Sequence, residues 1–289
     1  CTMKKYKICK ILLVILAIFL CVAFYELLGI CVAYKKQPEV SNTTKKETKN
    51  GSWNECSENT ERAVIIEKNP EALLQRVRLI KNAKKEIILS TFAFQSDESG
   101  KLILGALHDA ADRGVHIRLL VDGMESWIDM EGNPYFYGLS SHENVEIKLY
   151  NKANPLKPWK MMGRMHDKYL IADGKRYILG GRNTYNYFLG DFPGHKNYDR
   201  DVLVVCDEPE KENSVNQLLE YFETIWEQED SGYFHDNKKL ANRKSVKNAV
   251  LELQNGYQKY FEENKERICD TDYTDETFET EKIALVSNP

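Results

Sequence analysis

MHDKYLIADGKRYILGGRN, residues 165–183, is the stretch on which the reading of this 289-residue chain turns. It reads as a strand, a turn at Asp173-Gly174, and a returning strand that ends on two glycines. His166 and Lys168 are two positions apart, so both side chains leave the same face of the first strand. Leu170 shares that parity, while Tyr169 and Ile171 face the other way. Gly180 and Gly181 let the backbone approach a ligand closely, and Asn183 is expected near His166 across the pair. An imidazole, an ammonium and an amide beside bare backbone suit an anion. Lys168 supplies charge, Asn183 supplies donors, and His166 can attack or protonate, because its pKa lies near the working range. A lone His beside a Lys on a strand is usually a solvated edge, and a lone Asp-Gly is usually only a turn. Here the whole string fits HxK(x)4D(x)6GGxN without gaps, and chance does not supply that many fixed positions.

Outward from this stretch, strands alternate with helices. Ala63–Glu67 is a short apolar run, and Asn69-Pro70-Glu71 offers an N-cap, a proline at the first helical position and an early acid. Leu73, Val77 and Ile80 follow at helical spacing. Glu86–Phe94 reads as a strand, Ser99–Arg113 as a helix stopped by Gly114, and Val115–Val121 and Val145–Tyr150 as further strands. Beyond the central stretch, Asp201–Val205 is a strand. Val215, Leu218, Leu219, Phe222, Ile225 and Trp226 form a helical stripe, and a second helix is expected over Ala241–Arg267. Both stripes read as core packing. Asp270–Glu281 has acids and no base and reads as a solvated linker, after which 282–287 (KIALVS) reads as one more strand. The alternation predicts an α/β sandwich, a mixed sheet flanked by helices.

The string at 166–183 resembles the HKD catalytic motif of the phospholipase D superfamily. The flanks 73–100 (LLQRVRLIKNAKKEIILSTFAFQSDESG), 106–123 (ALHDAADRGVHIRLLVDG) and 144–151 (NVEIKLYN) are similar to its cardiolipin synthase branch, as is GGRN at 180–183, where other members often have GSxN. The resemblance covers about residues 62–289. It implies a phosphodiesterase or transphosphatidylase working through a phosphohistidine, with no metal and no cofactor, on a phosphatidylglycerol-like phospholipid. By the same resemblance His166 is the nucleophile or its acid/base counterpart, and Lys168 and Asn183 bind phosphate beside Gly180 and Gly181. Asp173 completes the motif while supporting the local fold. Members also carry a carboxylate on the following strand that orients the His, and Asp201 matches that place better than Asp199.

Active members bring two such motifs together. His108, His116, His142, His195 and His235 lack a Lys two residues on, so this chain holds one. Two-motif relatives continue into a second half after a strand like KIALVS. With Cys1 at its head and Pro289 soon after that strand, the chain is expected to be an N-terminal half, completed by a second half in cis. The alternative is a homodimer, as in the superfamily's small single-motif nucleases, or a phospholipase D-type phosphodiesterase. A nuclease should show a basic groove, and residues 51–289 carry a net charge of −10 against +6 in residues 1–50. No nucleic-acid partner is therefore expected. A binding protein without catalysis should have lost a motif position, and none is lost.

The basic head flanks an apolar segment, which suits a membrane surface. Residues 1–10 form a Lys-rich flank, 11–34 an anchor, 35–62 a polar tether, 63–269 the phospholipase D-like domain, and 270–289 the acidic linker with the first strand of a missing half. About 20 apolar residues span a bilayer. A cleaved signal peptide is the competing reading. The length of the run, its bulky Phe24-Tyr25-Glu26-Leu27-Leu28 and the lack of a small-x-small site before Lys35 favour a single-pass anchor that does not pack into the body. Lysines 4–10 place the N-terminus in the cytoplasm and the body on the extracytoplasmic side. The seven cysteines show no metal-ligand spacing.

Overall fold

Side-chain parity along the strands builds two apolar layers on the two faces of one sheet. The protein is seen in a computed structural model that describes residues 2–35, 42, 45–46, 61–160, 162–209, 213–235, 238–281 and 283–285. The sheet contains β1 (Arg62–Ile66), β2 (Glu86–Thr91), β3 (His116–Asp122), β4 (Val145–Tyr150), β5 (Lys168–Ala172), β6 (Arg176–Gly180), β7 (Asp201–Val205), β8 (Ser231–Tyr233) and β9 (Phe278–Glu279). Their spatial order is β8-β4-β3-β2-β5-β6-β7-β1-β9. Strands β2, β3 and β4 run parallel, and every other neighbouring pair is antiparallel.

One face buries Ile87, Leu89, Ile117, Leu119, Leu170, Ile178 and Leu203 under α2 (Asn69–Asn82), α3 (Glu98–Asp112), α5 (Pro134–Ser140) and α8 (Lys244–Glu263). The other buries Ile88, Leu120, Tyr169, Ile171, Tyr177 and Val204 under α6 (Ser214–Trp226), through Val215, Leu218, Phe222 and Trp226. Each such side chain contributes about 1.5–3 kcal/mol when removed from water. Leu170 therefore faces one layer, and Tyr169 and Ile171 the other. Between β3 and β4 the short α4 (Gly123–Asp129) precedes α5, its N-terminal N–H groups capped by the Asp122 carboxylate.

Three local expectations are corrected. Asn69 does not cap α2. Its amide donates to Asn197 O at 2.9 Å and accepts from Arg182 Nε at 3.1 Å, and the cap position falls on Lys68. The expected helix over 241–267 is divided into α7 (Lys238–Ala241), α8 and α9 (Lys265–Cys269). The break between α8 and α9 comes at Asn264, whose side chain donates to Tyr260 O at 2.9 Å; side-chain bonds of this kind compete with the helical backbone. Residues 270–281 are not a solvated linker. Tyr273 and Thr277 are buried, and the buried Arg78 guanidinium donates to Asp270 O, Asp272 O and Glu276. Phe278–Glu279 closes the sheet edge on β1. Asp270 and Glu276 pair with Arg78, and Glu279 with Arg62. Ile283 and Leu285 pack on the α6 side without forming a strand, while Lys282 and residues 286–289 of the expected KIALVS strand and tail lie outside the described residues.

The apolar N-terminal segment is one helix, α1 (Thr2–Lys35), apolar and long enough over Tyr6–Lys35 to cross a membrane, and its large apolar side chains from Ile8 to Leu28 are exposed. It nonetheless touches the body near its C-terminal end, where the Tyr25 hydroxyl donates to Leu156 O at 2.8 Å. Most of the expected tether, residues 36–41, 43–44 and 47–60, lies outside the described residues.

Candidate functional site

Strand β2 stops at Thr91, and the next three residues, Phe92-Ala93-Phe94, form the floor on which the sequence-identified residues meet. Lys168 opens β5 directly opposite Thr91. On the other side, Asn183 Oδ1 accepts the Ala93 N–H at 3.2 Å, and Thr184 pairs with Phe94 in a parallel bridge. The hydroxyls of Thr184 and Thr91 lie 3.2 Å apart beneath this junction. The Phe92 ring stands edge-on to the His166 imidazole, with centroids 4.7 Å apart. The Lys168 ammonium sits 5.3 Å and the Arg164 guanidinium 4.9 Å from the same ring. Lys168 and Asn183 are buried, whereas His166 is exposed at the rim. His166, Lys168 and Asn183 thus gather around one end of β2, although His166 itself precedes the strand.

The charges are graded by burial. Partial desolvation, then the Lys168 ammonium, holds the His166 imidazole below its ordinary pKa, with Asp167 and Asp122 acting the other way. Burial likewise lowers Lys168, against the pull of Asp167 and Asp199. Asp167 is raised by burial, and the Tyr221 hydroxyl donates to it at 2.9 Å. A lowered pKa favours the neutral imidazole, the form a nucleophilic histidine needs. The Lys168 ammonium donates to His166 O at 2.7 Å, which ties the two residues through the backbone.

Two expected roles are corrected. Among the described residues no carboxylate accepts a hydrogen bond from the His166 ring, and Asp201 is not its orienting acid. Asp201 is buried and pairs with Arg76 Nη1 at 2.9 Å and Arg182 Nη1 at 3.3 Å. Two arginines from α2 and the GGRN segment outcompete the imidazole for its charge. Gly180 and Gly181 do not present bare backbone to an anion. A Cβ on Gly180 would lie 2.1 Å from Asp201 Oδ1, and one on Gly181 would lie 2.1 Å from Asp199 Oδ2. The glycines make room for the carboxylates of Asp199 and Asp201, before and at the start of the next strand, and the Gly181 N–H already donates to Arg200 O at 3.2 Å. Asp173 lies at the far end of β5, in the left-handed region at φ 55°. Its carboxylate accepts the N–H groups of Lys84, Lys85 and Glu86 at 2.7–3.1 Å, fastening the hairpin to the start of β2.

Phe92, Arg164 and Asp122 were not singled out by sequence. Asp122, at the end of β3 and buried, accepts from Arg164 Nε at 2.9 Å and Met165 N at 3.1 Å. It fixes the chain immediately before His166. Arg164 could have been found, since it continues the period-two series Arg164, His166, Lys168.

A family profile described as "Cardiolipin synthase, PLD-like domain" matches residues 76–226, just over half of the chain and all of the site. The chain is a cardiolipin-synthase-like member of the phospholipase D superfamily. Within this superfamily, cardiolipin synthase C of Escherichia coli is 29% identical over 171 residues, which cover 54% of this chain and 34% of that protein. An uncharacterized protein of Helicobacter pylori is 30% identical over 212 residues, 68% of this chain and 39% of its own length. The chain therefore spans less than two fifths of these curated relatives. Among solved structures, phosphatidylserine synthase of Haemophilus influenzae superposes over 76% of this chain and 48% of its own, with a TM-score of 0.52 and 18% identity, a likeness of fold.

Proposed function

We propose that this protein transfers phosphatidyl groups between phospholipids, as a cardiolipin synthase does, through a phosphohistidine on His166. The observation that carries the reading is the exposed His166 imidazole against Phe92, with the buried Lys168 ammonium by the same ring and the buried Asn183 bonded to the next residue, Ala93. The imidazole nitrogen attacks the phosphorus of phosphatidylglycerol while Lys168 and Asn183 hold the nonbridging oxygens. The bond from phosphorus to the glycerol headgroup breaks, and the departing alkoxide takes a proton from an acid on the opposite side. The hydroxyl of a second phosphatidylglycerol then gives its proton to that same group and attacks the phosphorus. This releases His166 and yields cardiolipin and glycerol. The opposing acid is the histidine of a second His/Lys/Asn set, supplied by a further half in cis or by a second copy. General acid catalysis of this kind is worth about 10²–10⁴-fold.

The 289-residue chain in detergent with phosphatidylglycerol should label covalently at His166 and turn over little or not at all. The product of a longer reading frame carrying a second set should form cardiolipin. Robust cardiolipin formation by the 289-residue chain, abolished by His166→Ala, would move the second set to a homodimer partner. Absence of both label and product from either protein would refute phosphatidyl transfer, and release of phosphatidic acid alone would make water the acceptor.

A further inference from the structure

Residues 152–165 (KANPLKPWKMMGRM), between β4 and β5, carry four cations, Lys152, Lys157, Lys160 and Arg164, and no acid, in a body that is acidic overall. The segment leads directly into His166. Its described residues, 152–160 and 162–165, form a shaped loop. Asn151, in the left-handed region at φ 51°, donates its amide to Lys160 O and to Gly163 O, and Lys160 pairs with Asp230 at 2.6 Å. Arg164 is held by Asp122 and Glu125, both at 2.8 Å. Against that fixed base the loop leaves its large apolar groups uncovered, with Leu156 78%, Trp159 45% and Met162 53% exposed. The neighbouring α4, tied to the loop through Arg164, leaves Trp127 and Ile128 exposed as well.

The occupant of this surface is indicated by what lies beside it. Helix α1 meets the loop at one place, where Tyr25 bonds Leu156 O and Gly29 faces Pro158 so closely that a Cβ would lie 2.3 Å from its Cγ. At 1.5 Å per residue, the distance from Lys10 to Lys35 is roughly 37 Å, against a hydrocarbon core of about 30 Å. About 20 residues fill that core, so α1 leaves the hydrocarbon near Ile30, and the loop, which touches it at Tyr25 and Gly29, stands just inside that boundary. Tryptophan and flanking lysine are the residues that favour that zone, and cations there meet anionic lipid.

We infer that the 152–165 loop is an interfacial docking segment that seats Leu156, Trp159 and Met162 in the surface of an anionic phospholipid bilayer and holds His166 at that surface. For its purpose this rests on the phosphatidyl-transfer reading, because it lets a lipid phosphate reach His166 while the acyl chains stay in the membrane. The docking itself needs no turnover.

The test uses the full chain reconstituted into phosphatidylglycerol/phosphatidylcholine vesicles whose acyl chains carry bromine near the headgroup. Bromine should quench a fraction of the tryptophan emission, and that fraction should fall sharply in Trp159→Phe and in Leu156→Asp, with circular dichroism unchanged. Equal quenching in all three proteins would overturn the inference. So would Trp159 emission that is shielded from bromine and depends on the protein-to-lipid ratio, which would assign the surface to a second copy. Because the readout is fluorescence, its failure and a failure of phosphatidyl transfer are separately visible.

Discussion

Asp201→Asn separates a carboxylate that holds the fold from one that tunes the histidine. The side chain is fully enclosed, as are Arg76 and Arg182, which it meets at 2.9 and 3.3 Å. Apart from Asp201, the Arg76 guanidinium is bonded to Ala72 O, and that of Arg182 to Ile66 O, Glu67 O and Asn69 Oδ1, all neutral acceptors. Neutralising Asp201 leaves two buried cations without a counter-ion. Removing one partner of such a group costs about 3–5 kcal/mol. A domain of 150–250 residues loses about 2–4 °C of Tm per kcal/mol, so the expected fall is roughly 6–20 °C. Thermal unfolding in detergent measures it, alongside an NMR titration of 13C-labelled His166. The expected outcome is a large fall in Tm with the His166 titration unmoved. A Tm that stays in place while the His166 pKa drops would refute the assignment, because losing an anion that stabilised the imidazolium lowers the histidine.

Lys168→Gln should raise the His166 pKa, since the ammonium now disfavours a second positive charge beside it. The wild-type imidazole should therefore be neutral at pH 7 with an acid limb below the ordinary histidine value, and the same NMR titration would contradict this by showing no change or a fall. Asp173→Ala removes the acceptor of three backbone N–H groups and should cost about 1–3 kcal/mol in denaturant unfolding while covalent labelling of His166 persists. Loss of labelling in a protein that remains folded would give Asp173 a role in the chemistry.

Period-two patterning made most of the sheet legible. Residues 201–205 and 145–150 are strands with the bounds their alternation suggests, and the Val215–Trp226 stripe is the buried face of α6. What local pattern could not reveal is pairing across long separations. Asp201 looks like a neighbour of the histidine until Arg76 arrives from 125 residues upstream. The acidic run at 270–281 has a solvent-facing composition until Arg78 meets it from α2, 198 residues before Glu276. Asn69 has the chemistry of a cap, yet Arg182 claims its oxygen. In the site, the residues with a fixed spacing could be found from the sequence. Phe92, which is ordinary in an apolar run, becomes their common floor only because β2 and β5 run antiparallel side by side.

The place of β1 in the sheet also sets a schedule for biosynthesis. Among the described residues it is the first strand made, yet it lies between β7 and β9, and Arg62 reaches its ion-pair partner Glu279 only after 217 further residues. At about 5–20 residues per second, a ribosome needs roughly 10–45 s to deliver that partner. Until β7 is made Arg62–Ile66 is a nascent strand with neither neighbour, and until β9 is made it still lacks one. Unpaired strands of this kind recruit other chains. The vulnerable period of this strand is therefore the time before β7 and β9 have been made, and the partners it waits for lie downstream in its own chain.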